Sequence, residues 1–149
     1  GNFSEKTIIW LIDMLSKNQD KIIIVCTHQC VYGTVRGSTD SVRYIYPKEM
    51  VAEILNRFRI DLWLCGHQHY TPYSLEDTYS SGKTTFINVS SMHHAYYTEL
   101  SQSVILDFSQ GSNEIIAHRR SHDLHAFDSR FRVSIKVPFP IQLADRPVY

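Results

Sequence analysis

The residues best equipped for chemistry are histidines placed at the ends of apolar runs. His28 closes Lys-Ile-Ile-Ile-Val-Cys-Thr-His, and Gly66-His67-Gln68-His69 closes a second run, Asp-Leu-Trp-Leu-Cys. An extended backbone sends side chains at i and i+2 to the same side, so His67 and His69 are expected to face one direction. Imidazole nitrogens suit first-row transition metals, whereas magnesium and calcium favour oxygen donors. His28, His67 and His69 together would therefore make a transition-metal site. Cys26 and Cys65 each stand two residues before a candidate ligand, a spacing that permits a Cys/His zinc site. Because free cysteine is among the most buried residue types, both thiols are read instead as core residues beneath the histidines. Arg36 and Arg43 follow His28 in the chain, where a guanidinium would hold phosphate oxygens bidentately. His93, beside His94, follows a later strand toward the same edge. Arg36, Arg43 and His93 are the candidate substrate contacts.

The elements that must position these groups are legible in the hydrophobic pattern. Ser4 to Ser16 places Ile8, Ile9, Leu11, Ile12 and Leu15 on one helical face, with Ser4 as N-cap. Lys21 to Thr27 is β-branched and apolar on both faces, the pattern of a central strand covered on two sides. Residues 29–46 carry Gly33, Gly37, Ser38 and Asp40 without an apolar period and are expected to form a long loop. Pro47 fits the first turn of a second helix that ends near Arg59, and Asp61 to Cys65 is another buried strand. A strand, helix, strand crossover makes its strands parallel, so His28 and Gly66-His67 emerge at one carboxyl edge, where open α/β sheets bind ligands. Gly66 is expected to provide the sharp turn there. Farther on, Tyr70 to Leu75 and Lys83 to Val89 flank Ser80-Ser81-Gly82, and Ser103 to Phe108 and Glu114 to His118 flank Gln110 to Asn113. These read as antiparallel hairpins extending the sheet. Phe131, Val133, Ile135 and Val137 alternate with polar residues as a half-exposed strand stopped by Pro138 and Pro140. The fold class is layered α/β, with a parallel strand-helix-strand unit followed by antiparallel hairpins.

Fifteen Lys and Arg balance fifteen Asp and Glu without a charge block, so nucleic acid is not indicated as a partner. No apolar run approaches the roughly 18 residues of a membrane span, and the opening Gly-Asn-Phe-Ser-Glu-Lys shows no secretory signal. The three cysteines are an odd number without framework spacing, which points to a reducing compartment and a cytoplasmic location. His118, His122 and His125 with Arg119 and Arg120 are expected to form a mildly basic, solvent-facing patch.

Thr-His28, the intervening helix and Gly66-His67-Gln-His69 resemble the carboxyl-terminal half of calcineurin-like metallophosphoesterases. The likeness extends to the Trp-Leu helix before the first strand and to Phe-Ile-Asn-Val-Ser-Ser, covering roughly residues 5 to 108. The resemblance implies one half of a β-sandwich flanked by helices. It assigns His28 and His67 to one divalent ion and His69 to its neighbour, the two being manganese, iron or zinc. It also implies hydrolysis of a phosphate mono- or diester by the intact protein. The family's Asp-x-His, Gly-Asp-x-x-Asp-Gly and Gly-Asn-His-Asp/Glu motifs do not precede His28, so its catalytic residues are expected upstream. Asp123-Leu124-His125 matches the first by letters alone. Residues 1–149 accordingly look like a single or partial domain, with the carboxyl-terminal half of the enzyme over about 5–120 and an extension over 121–149. That piece is expected to hold at most part of the metal site, to be inactive alone and to self-associate in the absence of the amino-terminal half. The rival reading is a non-catalytic metal-binding or structural module. A different histidine-rich hydrolase fits less well, because its further ligands have no recognisable spacing.

Overall fold

The computed structural model describes residues 1–69, 78–93 and 101–144. Helix α1 (Glu5–Lys17) starts where the Ser4 side chain accepts the Thr7 N–H, and it turns Leu11 and Leu15 inward. Strand β1 (Ile24–Thr27) leads through a loop to helix α2 (Lys48–Arg57), which buries Val51 and Ile54 and is followed by β2 (Leu62–Cys65). Pro47 is the N-cap of α2, one residue ahead of the first turn expected for it. Strands β1 and β2 are parallel neighbours, with Thr27 opposite Cys65.

A hairpin follows. β3 (Thr78–Ser81) and β4 (Thr84–Asn88) pair antiparallel around Gly82, whose φ of 58° supplies the left-handed backbone of a tight turn. The arm expected at 70–75 lies outside the described residues, and the strand that pairs with β4 is 78–81. β4 joins β2 in parallel, giving the order β1-β2-β4-β3. The second hairpin does not extend this sheet. β5 (Gln102–Phe108), β6 (Glu114–Ser121) and β7 (Ala126–Lys136) form a separate three-stranded antiparallel sheet.

Alternation in β2 explains the layering. Trp63 and Cys65 enter one core with α1, α2 and Phe86, while Leu62, Leu64 and Ile87 of β4 pack with Ile115, Ala117, Phe131 and Ile135 of the second sheet. Helices, mixed sheet and antiparallel sheet thus make an α/β sandwich. Strand β1 departs from its expected central place, since it is the end strand of its sheet among the described residues and Cys26 is exposed. Apolar residues on both faces report what covers a strand above and below, not what pairs along its edges. The basic patch is also revised. Arg119 is fully buried with its guanidinium over Phe131, because alternate residues of β6 point into the sandwich.

Candidate metal centre

The ends of β1 and β2 carry the histidines as the crossover requires. The Gly66 N–H donates to the His28 carbonyl at 2.9 Å, which prolongs the β1–β2 ladder by one step. Trp63 steadies the same corner. Its indole N–H donates to Thr27 Oγ1 at 2.9 Å, and the Thr27 hydroxyl donates to the Gln29 carbonyl at 2.7 Å, turning the chain around His28.

His67 Nδ1 stands 3.0 Å from His28 Nε2, the ring centroids are 4.9 Å apart, and the planes cross at 76°. Burial holds the His67 imidazole below its ordinary value of 6.5, and the positive charges of His28, the amino terminus, Arg43 and His69 act in the same direction. Neutral imidazole is the form that binds a metal. Metal–nitrogen bonds of about 2.0–2.1 Å would let one ion reach both of these nitrogens, so the pair fits two ligands of a transition metal. His69 lies two residues farther on. Among the described residues, no group of three or more His, Cys, Asp or Glu side chains is arranged to hold a metal ion. The structure brings two of the three histidines into a pair; it does not assemble a complete site.

The turn of this motif differs from expectation. It is His67, with φ of 63°, that adopts the left-handed backbone, and Gly66 does not. A Cβ on Gly66 would lie 3.7 Å from the His28 carbonyl oxygen and 3.9 Å from Val89 Cγ2, both ordinary contacts.

Gln68, the spacer between the two histidines, escaped the sequence reading. It is fully buried, and its amide donates to the carbonyls of Gly37 at 3.3 Å and Arg43 at 3.2 Å. The Gln68 backbone carbonyl accepts from Asn88 Nδ2 at 2.8 Å. Gln68 and Asn88 thereby fasten the 29–46 loop and the end of β4 to the histidine motif. A glutamine between histidines reads as a solvated spacer; the sign that it is not is the long loop, whose inward-facing carbonyls need donors.

Arg43 lies on that loop, with Nη1 3.4 Å from Gln68 Oε1 and 3.8 Å from Asp40, and its charge reaches His67. Arg36 is exposed. His93 is exposed in a turn where its N–H donates to Ser91 Oγ at 3.1 Å, and His94 lies outside the described residues. Cys26 is exposed instead of buried beneath the histidines; Cys65 is buried as expected. Asp123 and His125 fall in the turn between β6 and β7, where Asp123 accepts the Ser101 N–H at 2.6 Å.

Residues 2–71 match the family model of the calcineurin-like phosphoesterases. The similarity covers a little under half of the chain. The matched stretch runs from α1 through His28 and α2 to just past His69, so it contains the imidazole pair and the elements that hold it. The matched stretch therefore supplies both the parallel β1–β2 unit and the edge at which the histidines emerge. The stretch from 72 to 108, where the sequence also suggested likeness, lies beyond the match. No curated protein matches the chain.

Proposed function

We propose that this chain supplies the histidine side of a metal-dependent phosphoesterase centre, acting on a phosphate mono- or diester in the intact protein. The observation that carries the reading is the pair His28 Nε2 and His67 Nδ1, 3.0 Å apart at the carboxyl edge of two parallel strands, within the stretch that matches the family model. His28 and His67 would hold one ion and His69 its neighbour. Divalent manganese, iron or zinc bound there would polarise the phosphoryl group and acidify a water for attack on phosphorus.

The chain's own residues have narrower tasks. His67 stays neutral and thus ready to bind, Thr27 and Trp63 orient the His28 turn, and Gln68 holds Arg43 beside the pair. Arg43 then offers a guanidinium to phosphate oxygens. Arg36 and His93 are weaker substrate contacts, since both are exposed. Neutral imidazoles do not offset the charge of two close divalent ions, so carboxylate donors are needed beside them. We therefore propose that residues 1–149 alone turn over little substrate and that an amino-terminal segment of the same domain completes the centre.

The test is hydrolysis of nitrophenyl phosphate mono- and diesters, with manganese or zinc, by residues 1–149, by the same chain carrying its natural upstream segment, and by the longer chain with His67→Ala. Activity confined to the longer, unsubstituted chain is expected. Robust turnover by residues 1–149 would overturn the division of the centre. An inactive longer chain that still binds metal would favour the non-catalytic module.

A further inference from the structure

Behind the histidine pair lie two sulfur atoms that the proposed hydrolysis does not use. Cys30 follows His28 by two residues, and Cys65 precedes His67 by two. Their Sγ atoms are 2.8 Å apart, and the residues are 0% and 2% exposed. Cys30 Sγ also lies 3.5 Å from the Gly66 carbonyl oxygen. Both backbones are anchored. The Cys30 carbonyl accepts the Ile45 N–H at 2.9 Å, Cys30 bridges Tyr44, and Cys65 sits in the β2 ladder opposite Thr27. Cys26, which precedes His28, is exposed and takes no part.

We propose that Cys30 and Cys65 are a dithiol–disulfide couple that ties the 29–46 loop to the end of β2. A disulfide bond is about 2.03–2.05 Å long, so the sulfurs are less than about 1 Å from bonding distance. The oxidant is a low-molecular-weight disulfide. One cysteine thiolate attacks it, forming a mixed disulfide and releasing one thiol. The second cysteine thiolate then attacks the protein sulfur of that mixed disulfide and expels the second thiol. The two electrons leave the protein thiols for the oxidant, and the two protons end on the released thiols. Since both sulfurs are buried, exchange requires the loop to open, and the bond forms most readily as the chain folds. Once formed, it braces from behind the two backbone segments that carry His28 and His67.

The experiment uses the full chain with Cys26→Ala, which removes the exposed thiol. The chain is refolded in buffers of graded reduced and oxidised glutathione, quenched with an alkylating agent in denaturant, and weighed by mass spectrometry. In reducing buffer it should take two alkyl groups. In oxidising buffer it should take none, weigh about 2 Da less than the dithiol, and yield a linked Cys30–Cys65 peptide on digestion. The same chain held in denaturant during equilibration should need at least about tenfold more oxidised glutathione to reach the same degree of linkage. Equal requirements for the folded and denatured chains, two glutathione adducts, or two alkyl groups at every ratio would each overturn the proposal.

Discussion

At the scale of single residues, the histidine pair makes the sharpest demands. Substituting His67 by Ala should weaken zinc binding strongly, whereas His93→Ala should leave it nearly unchanged, because β2 places His67 against His28 and His93 occupies an exposed turn. Zinc content after dialysis reads the difference, and equal losses would contradict it. The His67 ring should titrate below its ordinary 6.5 in a proton NMR titration, and His28→Ala should move its midpoint upward by removing one repelling cation. The unfolded chain then binds that proton more tightly than the folded one. The His67 contribution to stability is therefore fully present above pH 6.5 and diminishes as the pH falls toward the folded value. Gly66 makes a contrasting case. With room for a Cβ and no left-handed φ, Gly66→Ala should stabilise the fold by about 0.4–1 kcal/mol in denaturant unfolding, and a loss larger than that would show a constraint the backbone does not display. His28 and His67 were legible because their neighbours were apolar runs. Which residue of Gly66-His67 takes the turn was not, since histidine and glycine both tolerate it and only tertiary contacts choose.

Elements carry the next level of information, and here loops and strands behave differently. Helix α1, the crossover and the alternation of β7 follow from periodicity that any core-facing element must show. The 29–46 loop has no such period, and its conformation rests on contacts distant in sequence, chiefly the Gln68 amide. Gln68→Ala should cost about 1–3 kcal/mol, because it removes a fully buried amide that donates to the carbonyls of Gly37 and Arg43. Urea unfolding measures that cost, and limited proteolysis should cut the loop sooner in the variant. Separation of β5, β6 and β7 into their own sheet was equally hidden. Hairpin signals specify a local pairing, while the choice between extending a sheet and covering it depends on which apolar faces meet.

For the whole molecule, the sandwich leaves one flank apolar. A groove of about 480 Å³ between α1 and β1 is lined by Phe3, Trp10, Met14, Ile22 and Ile24, and Trp10 is 60% exposed. Strand β1 adds a ladder edge with no neighbour among the described strands. Residues 1–149 should therefore self-associate as concentration rises, and the amino-terminal segment proposed above should suppress this by covering the groove. Light scattering across a concentration series distinguishes the cases; a clean monomer throughout would remove the argument. Among the described residues no helix is long and apolar enough to cross a membrane. The balance of charges says nothing about which phosphate ester the proposed centre would take.

The left-handed backbone at His67 has a consequence for what folding alone would choose. That conformation costs a side-chain-bearing residue roughly 1–2 kcal/mol and glycine almost nothing. A chain freed from any need for the ring would fold more comfortably with glycine there, and His67→Gly should unfold at higher denaturant than His67→Ala. The imidazole thus sits at a position whose backbone favours glycine, an expense to stability that the metal role proposed for His67 would offset.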